Sequence, residues 1–210
     1  MSASPVLDLG LLTSFVAPGA FTRIDPAVEG ALAPLPEVRE RVAGCVSFCY
    51  SVGAGDHANG AKGPIDVGQR RKYLRAALAE FASMEDAAAV DFQRHGPKVA
   101  PRMSDMLDPR VHVVRLLRNA NIHLSATVLD HARRAASWDG PAGPQEFEYL
   151  LVLAKDVGAS IHAVQSATRY PASDLAAMTT WLDAEQREWG IHHVVLRCAE
   201  LYASHLAAAI

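Results

Sequence analysis

The amino-acid sequence predicts a mainly α-helical bundle, and three observations carry that reading. Alanine is abundant while aromatic residues make up only 7% of the chain, a composition that favours helix packed on helix. Apolar residues recur at three- and four-residue steps in several separate segments, which is the helical period. Half of the 210 residues are hydrophobic and a fifth are charged, so the chain reads as globular, long enough for one domain with a developed core.

Residues 1–35 are punctuated by Pro5, Pro18, Gly19, Pro26 and Pro34 and read as an irregular N-terminal arm with short helical turns. Pro36 then opens a helix to about Val52, with Glu37 and Glu40 in its early turns. Gly53 ends it, and GAGDHANGAKGP forms a turn-rich loop that lacks the Gly-Lys-Ser/Thr of a phosphate loop. A second helix is expected from about Val67 to Asp91, its apolar face marked by Leu74, Leu78, Phe81 and Met84. Pro97, Pro101 and Pro109 make the next stretch a connector.

An apolar run without Gly or Pro extends from Val111 to Leu129 and is read as a helix over about Val111–Thr127. WDGPAGPQ after it is a turn, and its flanks are read as a small β-hairpin in preference to a longer helix. Ser173 is expected to cap a helix that runs to Gly190, and IHHVVLRCAELYASHLAAAI supplies a final one. Trp181 and Trp189 fit core anchors better than base-stacking platforms. The apolar faces around Leu74–Met84, Val113–Leu124, Leu175–Leu182 and Val194–Leu201 are expected to share one core.

The most informative residues are Arg118-Asn119-Ala120-Asn121-Ile122-His123, because they place arginine, asparagine and histidine side chains together inside that apolar run. Burying a guanidinium without a partner is costly, so such an insertion suggests a site. At about 100° per residue, Asn119 and His123 share one helix face, one turn apart. Arg118 lies about 140° around from His123, yet its long stem can swing a five-donor fork toward the same cleft. A fixed cation then stands beside the side chain that titrates near neutral pH. Such a pair can cleave a phosphodiester through the neighbouring 2′-hydroxyl: the imidazole moves protons and the guanidinium stabilises charge on phosphate. This chemistry calls for no metal or cofactor. Residue by residue, Arg118 also fits a helix-surface arginine and His123 a satisfied buried histidine.

RNANIH within an apolar helix resembles the signature of the HEPN superfamily: Arg, four to six residues, then His, commonly with a polar residue after the Arg. The resemblance is specific over about Val111–Leu129. It implies a HEPN-like helical bundle and a metal-independent ribonuclease acting as a toxin or defence component. It further implies a homodimer whose two motifs line one cleft, with RNA as substrate and an antitoxin protein as partner. Arg118 and His123 would be the catalytic pair and Asn119 the adjacent polar position. Family members often add a polar or acidic side chain from a preceding helix, and Glu80, Ser83 and Glu85 occupy suitable places. Other members of the superfamily are catalytically silent and bind a nucleotide or a partner. A third class, a small helical DNA- or protein-binding regulator, lacks a clear helix-turn-helix signature here.

Net charge of −3 and a pI near 6.3 exclude a general nucleic-acid-coating protein. The densest positive cluster, Arg70, Arg71 and Lys72 followed by Arg75, fits either phosphate contacts or a solvated helix face. Cys45 and Cys49, one turn apart, fit small buried residues better than zinc ligands. His192 and His193 point about 100° apart on a helix and are poorly placed to chelate one ion. The opening MSASPVLDLG lacks the basic flank and apolar core of a signal peptide, and no run approaches the ~20 apolar residues of a membrane span. A soluble cytoplasmic protein is therefore expected.

Overall fold

The computed structural model describes residues 6–15, 23–53, 67–95, 99–123, 129–137, 144–152 and 154–210. Within them the chain is mainly helical. The short α1 (Pro26–Ala31) precedes α2 (Pro36–Val52), α3 (Val67–Arg94) and α4 (Pro109–His123). A hairpin of β1 (Leu129–Ser137) and β2 (Pro144–Val152) follows, then α5 (Ala154–Ala163), α6 (Ala172–Trp189) and α7 (Ile191–Ala207). Short 3-10 turns sit at Leu9–Leu11, Met103–Asp105 and Gln165–Arg169.

Helix α2 presents Val38, Val42, Cys45, Cys49 and Val52 at alternating four- and three-residue steps, and all five are buried. The matching stripe on α3, from Leu74 through Phe81 to Phe92, packs against it. The two helices approach closely at Gly44, where an added Cβ would come within 3.0 Å of the Glu80 Cδ. Each end of α2 is capped by a side chain from α3. Asp91, fully buried, accepts the Val38 N–H at 3.0 Å at the N-terminus. At the other end Arg70 Nη1 donates to the carbonyls of Val52 (2.9 Å) and Gly53 (2.6 Å). An acid at the N-terminal end and a base at the C-terminal end both complement the helix dipole, and both satisfy groups the helix leaves open.

Arg70 was expected to face phosphate or solvent; it is instead 2% exposed and engaged with this helix end. Loss of a charge-assisted bond to buried carbonyls costs about 1.5–3 kcal/mol. Arg70→Ala should therefore lower the thermal midpoint by roughly 3–12 °C in a chain of this size. A calorimetric scan checks this, and an unchanged midpoint would return Arg70 to the surface set. Arg71 is partly buried and Lys72 exposed.

Helix α7 is central: every residue from Ile191 to Ala199 is buried, and it packs against α1, α2, α3, α4, α6 and β2. Gly190 turns the chain sharply from α6 into α7 with φ of +86°, a region L side chains rarely adopt. A Cβ there would stand 2.9 Å from both His192 Nδ1 and Tyr149 Cβ. The antiparallel hairpin pairs Leu129 with Val152 and Ser137 with Pro144. Its second strand is anchored on α6 by Gln186, whose side-chain amide accepts from Val152 N (2.8 Å) and donates to Val152 O (2.7 Å).

The apolar faces named from the sequence lie in one core that includes Leu74, Phe81, Val113, Leu117, Met178, Leu182, Val194 and Leu196. Leu201 packs against it, while Leu124 lies outside the described residues. The N-terminal arm is part of this assembly. Trp181 Nε1 donates to Thr13 O at 3.1 Å, Phe15 packs edge-on against Trp181, and Ile24, Leu32 and Leu35 are buried.

Helices α2 and α7 match the expected spans closely, and α3 continues one turn further, to Arg94. The motif helix is described from Pro109 to His123; its expected end near Thr127 falls in residues 124–128, which lie outside the described set, as do the glycine-rich stretch after Gly53 and the turn centred on Pro141. Ser173 is not the cap of α6. The Pro171 carbonyl receives the first helical N–H bonds, and Ser173 Oγ instead donates to Asp174 Oδ1 at 3.1 Å. Helix α5 was not anticipated. Among the described residues no helix is long and apolar enough to cross a membrane.

Candidate functional site

Helix α4 begins at Pro109, whose missing N–H costs nothing in the first turn, and Asp108 Oδ1 accepts the Arg110 N–H at 3.0 Å. Val111, Val113, Val114, Leu116, Leu117 and Ala120 are buried, so this helix is held on most of its circumference. It packs against α3, α5, α6 and α7. His112 is locked within it. Its Nε2 lies 2.8 Å from the Met106 carbonyl, an acceptor only, so Nε2 carries the proton and Nδ1 accepts from Tyr170 O–H at 2.8 Å. Burial pushes the His112 pKa down, and this histidine is a structural strut.

On this rigid helix Arg118 and Asn119 are partly buried. Arg118 Nη1 donates to Asn119 Oδ1 at 3.1 Å, and Asn119 Nδ2 donates onward to Ser166 Oγ at 3.0 Å. Asn119 thus uses both ends of its amide, one to orient the guanidinium and one to tie α4 to the 3-10 turn at Gln165–Arg169. The Arg118 Nε is buried without a hydrogen-bond partner among the described residues. No carboxylate among them pairs with Arg118 either. A partly desolvated cation in that state is stabilised by an incoming anion.

His123 is the last residue of α4, five positions and about 7.5 Å along the axis from Arg118. Its side chain lies outside the described residues. Of the supporting candidates on α3, Glu85 reaches toward α4: it accepts the Met103 N–H at 3.0 Å and pairs with Arg115 at 3.3 Å, one turn before Arg118. Glu80 turns to α2 instead, pairing with Arg41 at 3.1 Å. Ser83 is partly buried between them on the same helix.

Ser166 was absent from the sequence reading. Nothing in the spacing of QSATR marks it, because its role follows from where α5 delivers the chain. His192 and His193 are buried in α7, where desolvation and then Arg70 and Arg197, respectively, lower their pKa values to about 4 and about 3. Cys45 and Cys49 are buried too. Comparison with protein-family models, curated proteins and solved structures gave no match. The functional reading therefore rests on these side chains.

Proposed function

We propose that this chain has a HEPN-like fold and is a metal-independent endoribonuclease of the HEPN type, working as a homodimer. The observation that carries the reading is Arg118: a partly buried guanidinium on the motif helix, oriented by Asn119 and without a carboxylate among the described residues. A cation kept in that state on a well-packed helix suits a phosphate oxygen better than it suits stability.

In the proposed reaction the imidazole of one His123 takes the proton from the ribose 2′-hydroxyl. The 2′-oxygen bonds to phosphorus, the bond to the 5′-oxygen breaks, and a second imidazolium returns a proton to that leaving oxygen. Arg118 stabilises the charge on the non-bridging oxygens. The products are a 2′,3′-cyclic phosphate and a 5′-hydroxyl. Purified protein should cleave RNA in EDTA, form the cyclic phosphate and leave a 2′-deoxy strand intact, because the nucleophile belongs to the RNA. An RNA that stays whole across varied sequences would favour the alternative, a catalytically inactive HEPN-like protein that binds a nucleotide or a partner.

One chain supplies a single His123, whereas the reaction uses both a base and an acid. A two-fold dimer placing both motifs in one groove supplies both, since an isologous interface sets the same patch on each side. Light scattering at micromolar concentration should give twice the 22.5 kDa chain mass. A monomer at that concentration would refute this assembly. The toxin or defence role, with an antitoxin protein as partner, belongs to the same reading and is tested by growth arrest on expression.

A further inference from the structure

A second feature lies one turn away from the motif, in a cavity of about 400 Å³. Three arginines from three different elements line it: Arg115 on α4, Arg169 at the end of the Gln165–Arg169 turn, and Arg102 before the Met103–Asp105 turn. Arg115 lies three residues before Arg118 on one helix, and Arg169 lies three residues after Ser166 on the other element. The same α4–turn contact that orients Arg118 therefore also assembles this cavity.

Its charges do not cancel. Glu85 and Arg115 pair at 3.3 Å, and Glu85 also accepts the Met103 N–H, so that couple is neutral and fixed. Arg102 and Arg169 are exposed and have no carboxylate partner among the described residues, while Asp86 is the remaining acid of the lining. Two free guanidiniums against one free carboxylate leave a local positive excess in a chain whose net charge is −3. The remaining wall is formed by the apolar Ala89, Val99, Ala100 and Pro101 together with Ser104, whose hydroxyl donates to Asp105.

We infer that this cavity binds a sugar-phosphate unit, with the phosphate on Arg102 and Arg169 and a sugar hydroxyl on Asp86. Guanidinium forks match phosphate oxygens in pairs. A carboxylate beside them repels a bare anion and is useful only if the ligand also brings a donor, which a sugar hydroxyl does. The volume falls in the range of small-molecule sites, roughly 300–1,000 Å³, and exceeds what a lone phosphate fills. The unit can be a free sugar phosphate or one residue of an RNA strand. The site stands whether or not Arg118 and His123 cleave RNA.

The test is calorimetric titration of the full chain carrying His123→Ala, which removes turnover, with ribose 5-phosphate, inorganic phosphate, ribose and a short single-stranded oligoribonucleotide. Ribose 5-phosphate should bind more tightly than phosphate, and ribose should not bind. Arg102→Ala and Arg169→Ala, both at exposed positions that leave the core intact, should each weaken binding roughly tenfold or more. Asp86→Asn should weaken ribose 5-phosphate while leaving or strengthening phosphate. Arginine-dependent binding of ribose 5-phosphate identifies a free ligand, whereas arginine-dependent binding of the oligoribonucleotide alone identifies a strand residue. Absence of binding by either, or binding that survives both arginine substitutions, would overturn the inference. Equal loss of phosphate and ribose 5-phosphate in Asp86→Asn would overturn the sugar contact. Failure of RNA cleavage in the unsubstituted chain bears only on the nuclease reading.

Discussion

His123→Ala is expected to slow RNA cleavage by about a hundred- to ten-thousandfold, the usual loss when one general acid/base group is removed. Arg118→Ala should cost about a hundred- to a thousandfold, as for loss of one preorganised charge-stabilising donor. Arg118→Lys should remain impaired, because lysine keeps the charge and loses the fork. These losses should come without unfolding. Among the described residues Arg118 donates to its neighbour Asn119, so removing a partly desolvated guanidinium takes little stability away. Ser166→Ala separates positioning from catalysis: it removes the acceptor of Asn119 Nδ2 and should lower kcat severalfold with little change in KM. Single-turnover cleavage of a labelled RNA, beside a thermal melt of each variant, measures both effects. Wild-type protein inert on varied RNAs, with Arg118→Ala and His123→Ala mainly lowering the melting temperature, would remove the ribonuclease assignment and leave the helical fold standing.

Acid should unfold this protein early. His192 and His193 lie buried side by side on α7, with pKa values lowered to about 4 and about 3 by desolvation, then by Arg70 on the first and Arg197 on the second. The His192 ring is wedged against the end of α2, where a Cβ on Gly53 would stand 2.6 Å from its Nε2. In the unfolded chain both histidines take up a proton near pH 6.5. Between that pH and about 4, then 3, the unfolded state binds protons the folded state refuses, so stability falls as pH falls. The stabilisation is complete above about pH 6.5. Its full loss is on the order of 3 kcal/mol for His192 and about 5 kcal/mol for His193, a large share of a typical domain stability of about 5–15 kcal/mol. His112, also lowered by burial, adds in the same direction. Glu185 opposes it: burial raises its carboxyl, so the folded state takes that proton first. Urea midpoints should therefore drop steeply from pH 7 to 4.5, and His193→Gln, which cannot be protonated, should flatten the slope. A midpoint that stays level over this range, or a slope unchanged in His193→Gln, would refute the account.

Helices α2, α3, α4, α6 and α7 were legible because their information is local, whereas α5 was not anticipated. The 4-3-4-3 spacing of Val38, Val42, Cys45, Cys49 and Val52, the proline at position 36 and the glycine at 190 each fix an element through nearest neighbours on the chain. The β-hairpin was legible from its turn residues for the same reason. The polar insertion at Arg118-Asn119 was equally visible, since arginine, asparagine and histidine gather there within a largely apolar helix.

The remaining features depend on what distant segments bring together. Asp91 and Arg70 are ordinary charged residues of α3 in the sequence, and only the antiparallel packing of α2 on α3 makes them the two caps of another helix. That packing explains why a cluster read as solvated or phosphate-facing contains a buried arginine. Ser166 becomes the anchor of Asn119 because α5 returns the chain to α4. Arg102, Arg115 and Arg169 share a cavity although they span 68 positions of sequence. Periodicity determines which face of each helix is apolar, because burial is decided residue by residue along one axis. Which charges lose their water, and which partner each then finds, is decided by the three-dimensional juxtaposition of those faces, since electrostatic and hydrogen-bond energies depend on distance in space and not on separation along the chain.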